Sequence, residues 1–238
     1  MTTPSPHIGT LNEKPLHAAL KAWYSEEGDR FEVPMDGFVI DIVREQELIE
    51  IHTGPTSALK RKLTALIAKH PLRLVLPVAA RKTIVRLDAD GDTIYTRQSP
   101  KREGVLHAFL RLVSLPDLLG DSNLSIDIVL TTQQELRRPR TTRRRKDWIV
   151  EERRLVEVVD CVSLHHPADF LAVIPSDLEE PFTTADLARA LSHPRKVAQQ
   201  IAYVLRRMHV LCVVGKQGNS ILYRRNRSGQ PPDDSERR

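Results

Sequence analysis

Residues 72–78, Leu-Arg-Leu-Val-Leu-Pro-Val, form a nearly continuous apolar run. A strand of that composition has almost no side to give to water, so the run predicts a strand buried on both faces. Its surroundings supply the covering layers. Asn12 is placed to cap a helix that carries Leu16, Leu20 and Trp23 on one face. Three strand-like runs follow, Phe31–Val33, Phe38–Val43 and Leu48–Thr53, and then an amphipathic helix over about 56–69 with Leu59, Leu63, Leu66 and Ile67 inward. Thr83–Leu87 and Thr93–Thr96 flank Asp90-Gly91, a hairpin turn signal, and a helix near 103–113 and a strand near 124–131 complete the pattern. Together these predict a mixed α/β domain over residues 11–136.

The chain has 238 residues, enough for one large domain or two small ones. No apolar run approaches the roughly 18 residues that span a bilayer, which argues against a membrane protein. Cys161 and Cys212 lack CxxC spacing, so neither a disulfide scaffold nor a Cys-rich zinc site is expected. Residues 1–6 show no secretory signal, and a cytoplasmic location is the default expectation. Residues 1–10 and 227–238 are polar and aperiodic and read as disordered ends.

The net charge of +5 conceals a strong segregation. Residues 137–146 carry seven basic side chains and no acid, and residues 195–227 carry eight more, again with no acid. The remainder of the chain is therefore net acidic. Such separation points to a polyanionic partner, DNA foremost, although a solvated face can also carry a charge run. The first segment, with Arg143, Arg144 and Arg145 at its centre, is expected to be an exposed basic loop. After it come Trp148–Val150 and Leu155–Val159, two strands or one hairpin, within a connector over 137–165.

Residues 166–226 read as a separate module. Pro167–Ile174 is a short helix, and Thr183-Thr184-Ala185-Asp186 is a capping box that opens another. Ser192-His193-Pro194 interrupts it, and a helix over about 194–208 buries Val197, Ile201, Val204, Leu205 and Met208. Two β-like runs, Leu211–Val214 and Ile221–Tyr223, close the module. This order resembles a winged helix-turn-helix. The resemblance implies that the helix after the turn enters the major groove, with Arg195, Lys196, Gln199 and Gln200 towards base edges. Arg206 and Arg207 add charge to that helix. Lys216, Arg224 and Arg225 in the wing would hold phosphates. A winged helix used for protein contacts or dimerisation is the alternative.

The chemistry-bearing residues lie on the strands at 38–43 and 48–53. A tight connection through Arg44-Glu45-Gln46-Glu47 gives pairs whose numbers sum to 91, which sets Asp41 opposite Glu50 with His52 two residues along. Like charges so placed repel, and a cation or a shared proton relieves them. An all-oxygen site of this kind suits Mg²⁺ or Mn²⁺. A solvent-facing sheet with Arg or Lys neighbours is the plainer reading of the same residues.

Asp41 followed by Glu50-Ile51-His52 on the next strand resembles the PD-(D/E)xK nuclease superfamily. The stretch from Asn12-Glu13-Lys14 to Ser99-Pro100-Lys101-Arg102 is similar to an uncharacterised bacterial group assigned to it. The resemblance implies a restriction-endonuclease-like fold, a mixed sheet flanked by helices, and a metal held by Asp41, Glu50 and the Ile51 carbonyl. It also suggests an acidic ligand from the first helix, for which Glu13 is the candidate. The superfamily usually has Lys at the third position and this chain has His52; Lys60 or Lys62 on the next helix could substitute. The expected activity is Mg- or Mn-dependent hydrolysis of DNA phosphodiester bonds, compatible with a homodimer because cutting a duplex takes two breaks. The alternative is a DNA-binding regulator whose nuclease fold has lost its chemistry. Asp88–Asp92 has the wrong spacing for a calcium loop, His165-His166 lack nearby carboxylate or thiol ligands, and phosphate-binding and serine-hydrolase motifs are missing from the sequence.

Overall fold

A computed structural model describes residues 14–142 and 145–226, the side chains of 141–146 excepted. The first helix, α1 (Pro15–Tyr24), starts with Pro15 in its first turn, where the missing N–H costs nothing. It turns Leu16, Leu20 and Tyr24 inward, whereas Trp23 is 49% exposed and packs edge-on against Tyr24. The expectation for Trp23 is thus corrected: Tyr24 takes the buried place because its hydroxyl finds a partner there, the Asp127 carboxylate at 2.9 Å.

A meander follows, β1 (Arg30–Met35), β2 (Phe38–Arg44) and β3 (Glu47–Ile51), antiparallel throughout. A 3₁₀ turn at Thr56–Leu59 leads into α2 (Lys60–Ile67). Then β4 (Leu72–Leu87) enters beside β3 in parallel, as its apolar run requires: Leu72, Leu74, Val75, Leu76 and Val78 are all buried. β5 (Thr93–Gln98) folds back on the far end of β4 through a turn in which the Asp88 carboxylate accepts from the amides of Asp90, Gly91 and Asp92. After α3 (Val105–Leu112) come β6 (Leu124–Thr142), parallel to β4, and β7 (Arg145–Leu164), antiparallel to β6. Among the described residues seven strands form one mixed sheet in the order β1-β2-β3-β4-β6-β7, with β5 also paired to β4. Helix α1 covers one face over Ile42, Ile49, Val75 and Val129, while α2 and α3 cover the other over Leu48, Leu74 and Ile126.

Residues 137–142 and 145–164 are not a loop and a short hairpin but the arms of one long β6–β7 ribbon. The basic side chains tolerate a strand because acids lie on the same ribbon: Arg137 meets Glu135, and Arg138 meets Glu151 at 2.6 Å. Trp148–Val150 and Leu155–Val159 belong to a single strand that register shifts interrupt.

The remaining chain forms a 3₁₀ turn (Pro167–Val173), α4 (Thr184–Ala190), α5 (Arg195–Arg207) and the hairpin of β8 (Leu211–Gln217) and β9 (Ser220–Arg225). The capping box is formed: Thr183 Oγ1 accepts from the amides of Ala185 and Asp186, and the Asp186 carboxylate accepts from the Thr183 amide at 2.9 Å. α5 buries Ala198, Ile201, Val204 and Leu205 and packs on α3, and Phe170 meets Phe109 edge-on at 5.9 Å. Among the described residues no helix is long and apolar enough to cross a membrane.

Candidate active site

The β2–β3 turn sets the site. Its pairs are Arg44↔Glu47, Val43↔Leu48 and Ile42↔Ile49, each summing to 91, so Asp41 and Glu50 occupy the next rung. There the ladder gives way to a side chain: Asp41 Oδ2 accepts the Ile51 amide at 2.7 Å. The next amide, that of His52, continues the pairing with β4 on the strand's other side, donating to the Val75 carbonyl at 2.9 Å. The strands part at this point, and both carboxylates are buried in the opening.

Two nitrogen-bearing side chains enter from different helices. Lys62 of α2 sends its ammonium to Glu50 Oε2 at 2.5 Å and to the Val39 carbonyl at 2.6 Å. His17 of α1 brings Nε2 to 3.2 Å from Asp41 Oδ2. Burial, then the charge of Asp41, pushes the Glu50 carboxyl up to about 7, against the opposing pull of Lys62 and His17. Glu50 is therefore much harder to ionise than an ordinary glutamate. Mutual repulsion inside a poorly solvated opening is the condition a divalent cation relieves.

His52 follows β3 on the same loop. Its Nε2 donates to the Pro55 carbonyl at 3.0 Å, which leaves Nδ1 as the acceptor of the neutral ring. Burial lowers the ring's proton affinity, so the neutral form is favoured. Arg111 of α3 holds this loop with a planar fork: Nη2 donates to the His52 and Gly54 carbonyls, each at 2.9 Å, and Nη1 to the Pro77 carbonyl at 3.0 Å.

Asp41 and Glu50 are thus brought together, and Lys62, one of the two substitutes weighed for the missing lysine, reaches them. Lys60 is exposed and makes no such contact among the described interactions. Glu13 lies outside the described residues. Among the described residues no group of three or more His, Cys, Asp or Glu is arranged to hold a metal ion. Sequence reasoning missed His17 and Arg111. His17 could have been found, since its spacing to Leu16 and Leu20 keeps it on the helix that covers the sheet. Arg111 could not, because its partners are backbone carbonyls from two distant segments.

The basic residues of the C-terminal module divide. Arg195, Lys196, Gln199, Arg206, Lys216 and Arg224 are exposed, and Gln200 is half-exposed. Arg207 is engaged by Asp117 in the loop after α3. Arg225 is drawn in: Nη1 bonds Glu180 at 2.6 Å, Nη2 the Pro175 carbonyl at 2.6 Å, and its guanidinium lies 5.7 Å from the Phe182 ring centre. Those contacts hold its guanidinium against the module's own residues. Arg143 and Arg144 lie outside the described residues, and Arg145 is described only as backbone of β7.

Compared with known proteins, residues 14–165 match the family model described as Domain of unknown function (DUF8091), a stretch that ends with β7. An uncharacterized protein of Treponema pallidum (strain Nichols) is 31% identical over 234 residues, covering 96% of this chain and 90% of that protein. No solved structure matches the chain.

Proposed function

The chain belongs to the family described as Domain of unknown function (DUF8091), and we propose that it is a PD-(D/E)xK-type DNA endonuclease with a C-terminal winged helix. The observation that carries this reading is the meeting of Asp41 and Glu50, on adjoining strands, with a lysine ammonium 2.5 Å from Glu50. A structural ion pair needs one carboxylate and one cation. This opening instead buries two carboxylates against each other, an arrangement that costs stability and that active sites tolerate.

The fit to a divalent cation rests on the donor set: two carboxylates in a buried opening, one of them made harder to ionise by the other. Asp41 and Glu50 would hold Mg²⁺ or Mn²⁺, with Glu13 as a further candidate. Such an ion, when bound, lowers the pKa of a water and offsets charge on a phosphate. The protein's part is otherwise positional. Lys62 takes the place of the superfamily's strand lysine from α2 and can donate to a developing oxyanion. His52, held neutral, presents Nδ1 as a proton acceptor. The α4–α5 turn and the β8–β9 hairpin support the winged-helix reading, with Arg195, Lys196 and Gln199 exposed on α5 and Lys216 and Arg224 on the wing.

One observation favours a second reading, a DNA-binding regulator with a retired site: His17 and Lys62 each take up an oxygen of the two carboxylates. Cleavage of supercoiled and branched DNA with Mg²⁺ or Mn²⁺ decides between the two. The nuclease reading expects metal-dependent cutting that disappears in Glu50→Gln while DNA binding survives. Binding without cutting by the wild type on every substrate selects the regulator.

A further inference from the structure

Past the ends of β3 and α1 the sheet continues as four strands, β5-β4-β6-β7, and its two faces differ in charge. Cross-strand partners project from the same side. The register pairs Ile84 with Arg97 and Glu135, Arg86 with Tyr95 and Arg137, and Glu135 with Arg153. Lys82 reaches the same face, since its ammonium lies 3.3 Å from Glu135. Among the described strand residues five cations thus share this face with one carboxylate, which is buried beneath them; Glu103, at the edge near Lys82, is paired with Lys101. On the opposite face Glu151 and Glu152 meet Arg138 and Arg154, leaving that side balanced.

Aromatic rings interleave with the cations. The Arg86 guanidinium lies 4.6 Å from the Trp148 ring centre and 6.0 Å from that of Tyr95, which is 47% exposed. The platform also adjoins the carboxylate opening. Burial lowers the proton affinity of Arg111, the residue that clamps the His52 loop; Glu103 opposes that effect and the nearby Arg153 adds to it, so the platform's Arg153 is within electrostatic reach of the clamp.

We infer that this face of the β4–β7 extension is a platform for single-stranded DNA, guiding a strand towards the Asp41–Glu50 opening. It rests on the nucleic-acid reading above but not on its hydrolytic step. Charge complementarity selects a polyanion, and the rings select one whose bases are free to stack; a duplex keeps its bases sealed and offers phosphates alone.

The test is fluorescence anisotropy with the full chain in EDTA, using labelled oligothymidylate and a duplex of equal length. Tyr95 and Arg97 are both exposed on β5, so the double variant Y95A/R97A removes a ring and a cation without opening the core. The expected result is about a tenfold loss of oligothymidylate affinity with duplex affinity kept. R138A/R154A, which removes two cations from the opposite face, should leave both affinities in place. Unchanged oligothymidylate binding by Y95A/R97A overturns the platform, as does an equal loss in R138A/R154A. Equal loss of duplex and single strand in Y95A/R97A overturns the single-strand assignment. Wild-type protein that binds neither DNA removes the nucleic-acid reading itself.

Discussion

Lys62 on α2 places its ammonium 2.5 Å from the carboxylate of Glu50 on β3, so a helix supplies the cation that faces this strand carboxylate. The same ammonium bonds the Val39 carbonyl of β2, which pins it over the opening between the two strands. Lys62→Met keeps the packing of the stem and removes only the charge. If Lys62 serves the reaction, kcat should fall by about 10²–10³, the usual loss when one donor to a developing oxyanion is removed, with little change in DNA affinity. Lys62→Arg should recover only part of this, because a planar fork cannot occupy a point-charge site in the same way. Steady-state cleavage of a plasmid under Mn²⁺ measures both, and wild-type rates in Lys62→Met would detach this residue from catalysis.

Glu50 makes folding pH-dependent in an unusual direction. Its carboxyl is raised from 4.5 to about 7, so between those values the folded state holds more protons than the unfolded one. Stability from this group is present in acid and declines as pH rises through that window. The loss reaches at most about 3 kcal/mol above pH 7. Metal-free Glu50→Gln should therefore be more stable than wild type near pH 7.5 and level with it near pH 4.5, about the ordinary value of a glutamate. If Glu50 holds a metal ion, Mn²⁺ should protect the wild type more strongly as pH rises, because a metal binds the deprotonated carboxylate. Thermal melts across the window test this. A gap between variant and wild type that ignores pH contradicts it.

The β2–β3 register was legible because a tight turn leaves few ways to pair two strands, and both of those considered set Asp41 against Glu50. The Thr183 capping box and the apolar stripe of α5 were legible for the same reason: local spacing determines local contacts. The β6–β7 ribbon was not. Its basic residues looked incompatible with packing only because the acids that accept them, Glu135 and Glu151, are brought opposite by long-range pairing. Trp23 and Tyr24 are neighbours with similar apolar bulk, and the choice between them was made by Asp127, more than a hundred residues away. His17 and Arg111 complete the site through partners on other elements, which no pattern within one segment reports.

Arg111 of α3 reaches three carbonyls, those of His52 and Gly54 after β3 and that of Pro77 on β4, while Thr56 of the same loop bonds the Arg111 carbonyl in return. Arg111→Lys cannot reach all three from one point charge and should cost about 2–4 kcal/mol of stability. The His52 loop should loosen first. Hydrogen exchange at residues 52–56 should rise well above the rest of the sheet, and uniform exchange across the domain would count against a local clamp.

Tyr24 and Asp127 form a buried polar pair in which the Tyr24 hydroxyl donates to Asp127 Oδ2, while Oδ1 has no partner. Burial, then the Asp127 charge, drives the Tyr24 phenol far above its ordinary value, so it remains a donor at every accessible pH. Tyr24→Phe leaves Asp127 with Arg73 at 3.5 Å and should cost about 1–3 kcal/mol in urea denaturation. Tyr24→Phe in an Asp127→Leu background should cost much less, since no buried acceptor is then left waiting. Equal costs in both backgrounds would show that Tyr24 acts through ring packing alone.

Arg224 and Arg225 are adjacent on β9 and should behave oppositely. Arg225 is turned inward, bonded to Glu180 and to the carbonyls of Leu178 and Pro175, whereas Arg224 is exposed. Arg225→Ala leaves Glu180 and two carbonyls without their donor and should lower stability by about 1–3 kcal/mol. Arg224→Ala should leave the melting temperature in place. If the hairpin serves as a wing on DNA, Arg224→Ala should also lower duplex affinity and flatten the salt dependence by about one unit of log K against log salt. Melting curves and a salt titration of duplex binding on both variants separate the two roles. Loss of affinity in Arg225→Ala with the fold intact, and none in Arg224→Ala, would reverse the assignment.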